Sequence, residues 1–190
     1  MSSTTAKVTL WVSAAILFAG VGTTSYLYLQ KEPATPVPAP LANSQPAATQ
    51  QAKELLPEFQ LMDVDEKPQS IKQWQGKVVV LNFWATWCPP CRRELPTFKA
   101  LQDEYGERGV QFVGVSLDRG ELVKDYARIE ALNYPQLVGP SKALELGQQL
   151  GNRMGALPFT VVVDRKGYIA ERIFGEWSRE EAETTFKKLL

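Results

Sequence analysis

The chain has 190 residues, and its 21 Lys plus Arg balance 21 Asp plus Glu, so the formal net charge is zero. That length suits one domain with additions, and balanced charge without a basic run offers nothing to nucleic acid. The absence of histidine excludes imidazole acid–base catalysis, His metal ligation and an axial haem His.

Residues 1–7 form a short polar start that includes Lys7. Residues 8–29 carry no formal charge and are largely apolar. As a helix they would span roughly 33 Å, enough for a bilayer core. Trp11, Tyr26 and Tyr28 lie towards the ends, as interfacial aromatics do. A weak positive-inside signal from Lys7 and the terminal amine places the N-terminus in the cytoplasm. The segment is expected to be an uncleaved anchor. A cleaved signal peptide is the alternative, with Gly20 and Gly22 as small residues, but no A-x-A closely follows the apolar run. Residues 30–54 are rich in Pro and Ala, with Pro33, Pro36, Pro38, Pro40 and Pro46 among Gln, Thr and Ser. Such a composition makes a linker, whose stretch from Pro33 to Ala52 would reach roughly 60 Å at about 3.1 Å per residue.

Residues 55–190 read as one domain of alternating strands and helices. Alternation over Pro57–Asp63 predicts an edge strand, followed by a turn at Asp65–Pro68. Ser70 caps a short helical turn to Trp74, closed by Gly76. Val78–Trp84 is an almost unbroken β-branched and aromatic run, the pattern of a central buried strand. A helix follows Cys88, with Pro89 at its first position, Pro96 as an interruption, and Gly106 and Gly109 at its end. Val110–Ser116 predicts a strand, Glu121–Leu132 an amphipathic helix, and Ala143–Leu150 a third helix. Phe159–Val163 and Tyr168–Phe174 predict a hairpin turning at Asp164–Gly167. Ser178 with Glu181 is a capping box for the last helix. The order implies an α/β fold with a central mixed sheet and helices on both faces.

Cys88 and Cys91 are the only cysteines. A zinc site needs about four ligands, and haem attachment needs His after the second Cys, where Arg92 stands. A structural disulfide across so short a loop would restrict the unfolded chain little. A redox pair explains the spacing better. Between a buried strand and a helix, Cys88 is expected at the helix N-terminus with an exposed sulfur. Helix dipole and free N–H groups stabilise a thiolate there.

The run Val79–Cys91 resembles the active-site segment of thioredoxin-like proteins, most closely the TlpA, ResA and CcmG branch of membrane-anchored extracytoplasmic thiol:disulfide oxidoreductases. Glu94, three residues past Cys91, matches that branch's active-site glutamate. Leu157–Gly167 matches its cis-proline loop, strand and turn. The resemblance implies a thioredoxin-like fold and an extracytoplasmic enzyme that reduces protein disulfides, with cytochrome c maturation as one role. It implies that Cys88 attacks a partner disulfide, that Cys91 resolves the mixed disulfide, and that Pro158 is cis and faces the pair. Leu157 and Pro158, with Trp87 beside Cys88, would frame the substrate surface. No cofactor or metal is implied. The implied partners are exported proteins with disulfides and a DsbD- or CcdA-like transmembrane electron donor. The implied location is the cytoplasmic (inner) membrane, single-pass, with the C-terminal domain facing the periplasm or cell exterior. Where cytoplasmic thioredoxins have a buried aspartate, this chain has Asn82, which cannot shuttle a proton. Glu94, on the helix face of Cys91, is then the candidate proton acceptor. Its alternative is a solvated carboxylate on the first turn. Arg92 and Arg93 read as solvated helix charges, with depression of the thiolate pKa as the alternative, and Trp84 reads as a packing residue.

Two other readings compete. A peroxiredoxin-type peroxidase needs a lone Cys preceded by Thr and Pro at wider spacing, unlike this close pair. The other is a non-catalytic binding or assembly module, such as a metal carrier or scaffold subunit; the missing His and the short C-x-x-C argue against a copper carrier. The direction of exchange follows from the two prolines inside the motif. In oxidising members of the superfamily a His there stabilises the Cys thiolate. Pro89 and Pro90 have no N–H to donate, so the dithiol is less favoured and the pair should act as a reductant. Equilibration with glutathione or dithiothreitol buffers is expected to give a potential nearer thioredoxin, about −270 mV, than DsbA, about −120 mV. A value close to that of DsbA contradicts the reductant expectation.

Overall fold

A computed structural model describes residues 53–190. The proposed anchor at 8–29 and the linker up to residue 52 lie outside the described residues. Among the described residues, no helix is long and apolar enough to cross a membrane.

Seven strands form one mixed sheet in the order β2-β1-β5-β4-β3-β6-β7. The strands are β1 Gln60–Asp63, β2 Pro68–Ser70, β3 Val78–Trp84, β4 Val110–Ser116, β5 Gln136–Val138, β6 Phe159–Val163 and β7 Ile169–Phe174. The helices are α1 Pro89–Tyr105, α2 Gly120–Ile129, α3 Pro140–Gln149 and α4 Arg179–Leu189, with a 3-10 turn at Ile71–Trp74. Every residue of β3 is buried. It pairs in parallel with β4, Val78 opposite Val110 through Trp84 opposite Ser116. On its other side it runs antiparallel to β6, Leu81 opposite Val161.

Period-two alternation along β3 divides the core. Val78, Val80 and Trp84 meet Leu95, Phe98, Val123 and Phe186 on one face, so α1, α2 and α4 cover that side. Val79, Leu81 and Phe83 meet Ala143 and Leu146 of α3 on the other. Asn82 shares the parity of Val80 and Trp84, so this one polar residue of β3 points at the α1 layer. Ser178 and Glu181 form the expected reciprocal cap on α4.

The first strand departs from expectation. β1 is not at the edge: it lies between β2 and β5, antiparallel to both. The Asp65–Pro68 turn is a hairpin that brings back three further residues, and these take the edge. The folded unit also takes in Glu54. Its carbonyl accepts from the Ile169 N–H at 2.8 Å, and its carboxylate pairs with Arg172 at 2.5 Å.

Gly114 of β4 is required by close packing. A Cβ there would lie 2.0 Å from Gln136 Oε1. That oxygen accepts the indole N–H of fully buried Trp84 at 3.0 Å. Gly114→Ala must displace Gln136 and leave the indole unpaired, so urea denaturation should show a loss of about 1–3 kcal/mol. Unchanged stability would contradict this packing account.

Candidate active site

β3 leaves the sheet through a turn in which the Cys88 N–H donates to the Ala85 carbonyl at 3.1 Å. Cys88 is the N-cap of α1 and has extended backbone angles. Pro89 and Pro90 occupy the first two helical positions, where a missing N–H costs no helical bond. The Arg92 N–H closes the first turn on the Cys88 carbonyl at 3.1 Å. The Cys91 N–H donates to Cys88 Sγ at 3.3 Å. This sulfur therefore takes the place of a capping oxygen at the positive end of the α1 dipole.

The two cysteines are joined by a disulfide, with Cα atoms 5.4 Å apart. Cys88 retains 4% of its accessible surface and Cys91 none. The exposed sulfur expected from sequence is thus a narrow opening. Both cysteines belong to the core cluster of Trp84, Ala85 and Leu95, against which half-buried Leu157 packs. The Leu157–Pro158 peptide bond is cis. Pro158 is buried and immediately precedes β6. Trp87 differs from all of these: it sits in the turn beside Cys88 and is 65% exposed.

Glu94 lies one turn along α1 from Cys91 and is 3% exposed, so the reading of a solvated first-turn carboxylate fails. Asn82 Nδ2 donates to its Oε1 at 2.8 Å, and the Trp177 N–H donates to its Oε2 at 3.1 Å. Asn82 Nδ2 also donates to Thr160 Oγ1 on β6 at 3.1 Å. Burial pushes the Glu94 carboxyl up to about 7, and the Trp177 and Asn82 hydrogen bonds only partly oppose it. Arg93 points away and pairs with Glu176. That pairing holds the Glu176 carboxyl below the usual carboxylate range. The Arg92 guanidinium lies 5.8 Å from the Tyr126 ring centroid.

Sequence reasoning missed the partners that bury Glu94. The Trp177 N–H comes from the β7–α4 loop, 83 positions away. No local signal marks it. Among the described residues there is no group of three or more His, Cys, Asp or Glu able to hold a metal ion.

The sequence profile of the Redoxin family matches residues 51–190. The chain belongs to the Redoxin family. The thiol-disulfide oxidoreductase ResA of Bacillus thuringiensis (strain Al Hakam) is 33% identical over 136 residues, covering 70% of this chain and 75% of the relative. ResA of Oceanobacillus iheyensis is 38% identical over 132 residues, 67% of each chain. Among solved structures, a thioredoxin-family thiol:disulfide interchange protein from Chlorobium tepidum TLS superposes with a TM-score of 0.67 at 28% identity. It covers 73% of this chain and 97% of that one. StoA from Bacillus subtilis gives 0.56 at 26% identity, covering 68% and 96%. With its bonded C-x-x-C pair, this Redoxin protein is a thiol–disulfide oxidoreductase of thioredoxin-like fold.

The Glu94 environment has a consequence for stability. Its carboxyl titrates near 4.5 in a free chain and near 7 when folded. Between those values the folded state binds the extra proton. The contribution of this group to stability is therefore fully present below about pH 4.5 and is lost as pH rises through 7, at most roughly 3 kcal/mol in all. Glu94→Gln should flatten that part of the pH–stability curve measured by urea denaturation. An equal slope in the variant would contradict the assignment.

Proposed function

We propose that the protein is an extracytoplasmic reductase of protein disulfides, tethered by residues 8–29 to the cytoplasmic membrane. One observation carries the mechanism: a capped, slightly open Cys88 is bonded to a sealed Cys91, with a buried carboxyl of raised pKa one turn away. In the dithiol form the Cys88 thiolate attacks a partner's disulfide. A Cys88–partner bond forms, and one partner sulfur leaves as thiolate. Cys91 then gives up its proton and attacks Cys88 Sγ. The second partner sulfur leaves, and the Cys88–Cys91 disulfide closes. Two electrons pass to the partner, and Glu94 takes the Cys91 proton. Trp87, Leu157 and Pro158 form the surface on which the partner chain lies.

The direction rests on Pro89 and Pro90. The Cys91 N–H is the backbone donor at Cys88 Sγ, and the prolines add none. A weakly stabilised thiolate makes the dithiol the better electron donor. Such a reductant outside the cytoplasm must be recharged, and a tether keeps it beside a DsbD- or CcdA-like transmembrane donor. Its substrates are exported proteins with disulfides, with apocytochrome c as one candidate. A peroxidase working through a lone cysteine does not suit two sulfurs already bonded to each other.

In the full-length chain, insulin disulfide reduction should occur with dithiothreitol as donor and disappear in Cys88→Ala. Cys91→Ala should retain substrates as mixed disulfides on Cys88, which mass spectrometry can name. Alkylation of the reduced protein at neutral pH should modify Cys88 before Cys91. Faster labelling of Cys91 would reverse the assignment of attacking and resolving thiols.

A further inference from the structure

Asp118 belongs to the loop between β4 and α2 and is 8% exposed. One of its oxygens, Oδ2, accepts both the backbone N–H and the hydroxyl of Thr86, each at 2.7 Å. Its own N–H donates to Ser116 Oγ at 3.2 Å, so the loop that carries it is also fixed. Thr86 is one of the two inner residues of the turn closed by the Cys88 N–H on the Ala85 carbonyl. Both the main chain and the side chain of that residue are thus tied to one carboxylate oxygen. The neighbouring Leu117 N–H adds a tie to the Trp84 carbonyl at 3.0 Å. The exit of β3 towards Cys88 is therefore held sideways from the end of β4, at a point where it has already left the sheet ladder.

We propose that Asp118 is a positioning residue for the redox pair, clamping Thr86 so that the turn holds Cys88 beside Cys91 in the dithiol as well as in the disulfide. Closing the disulfide joins two thiols of one chain, so its equilibrium constant scales with the effective concentration of one at the other. A loosened turn spreads Cys88 over more positions in the dithiol and lowers that concentration. Breaking the clamp therefore disfavours the disulfide and makes the potential less negative. The clamp acts through Cys88 and has no contact with a substrate. The inference rests on exchange at the Cys88–Cys91 pair.

The test is equilibration of the full-length protein with dithiothreitol buffers, together with the alkylation rate of reduced Cys88. Asp118→Ala removes the acceptor of both bonds, and Thr86→Val removes the hydroxyl alone. Both should shift the dithiol–disulfide equilibrium towards the dithiol by about threefold to tenfold, tenfold being about 30 mV for a two-electron couple. Asp118→Asn keeps an oxygen for both donors, and Thr86→Ser keeps both donors, so each should restore the equilibrium to within about twofold of wild type. A purely structural role would lower the melting temperature of Asp118→Ala and Thr86→Val without moving the equilibrium. Should Asp118→Ala fail to fold, Thr86→Val still decides. Unmoved equilibria in both broken-clamp variants overturn the clamp. So does an Asp118→Asn shift as large as that of Asp118→Ala, which would assign the effect to charge. A wild-type chain that does not exchange with dithiothreitol at all refutes the oxidoreductase reading itself, a result distinct from either.

Discussion

The hydrogen bond from Asn82 to Glu94 joins the central strand to the helix that carries the cysteines. Among the described residues it is the one side-chain hydrogen bond between β3 and α1, in a layer made mainly of aliphatic and aromatic residues with the two cysteines. Asn82 can make it because period-two alternation sends it to the α1 face with Val80 and Trp84. Glu94 can receive it because it lies one helical turn beyond Cys91, on the same face. The Trp177 N–H supplies the second bond and fixes the β7–α4 loop against the site. A carboxylate buried without such donors would cost several kcal/mol. With only two of them it survives, at the cost of a raised pKa.

That arrangement links two properties of the site. The packing that seals Cys91 also removes water from Glu94, so in the proposed mechanism the thiol that loses a proton and the carboxyl that takes it share a dry layer. An aspartate at position 82 would place a second acid there, and two buried carboxylates would oppose each other's ionisation. The amide instead offers a donor and no charge. Cys88, by contrast, is governed by the helix end: its sulfur has the Cys91 N–H and the α1 dipole, and two prolines limit what else can be donated.

Much of this was legible in the sequence. Val78–Trp84 announced a strand buried on both faces, and the switch to helical spacing after Cys88 placed the cysteines at a helix start. The short pieces were not legible. β2 and β5 have three residues each, too few for a periodic signal, and their strand character comes from pairing, β2 with β1 and β5 with both β1 and β4. The same gap put β1 at the edge in the sequence reading, when β2 covers it. Boundaries of α2 and α3 moved by one to three residues, as helix ends do. At the site, Glu94 was marked by its match to the glutamate of the family it resembles, and its burial was not legible. Burial depends on Trp177, 83 positions away, and on Asn82, whose facing direction follows only once β3 has its register. The Asp118 bond to Thr86 spans 32 positions and is hidden for the same reason.

The proposed mechanism depends most on Glu94 being basic enough to take a proton near neutral pH. The most direct measurement is a pH titration of the Glu94 side-chain carboxyl carbon by NMR in the 13C-labelled, oxidised protein, with Glu94→Gln identifying the resonance. The account predicts a midpoint near 7. A midpoint near the free-chain value of 4.5 would contradict it, because a carboxylate of that ordinary acidity is too weak a base to take the Cys91 proton near neutral pH.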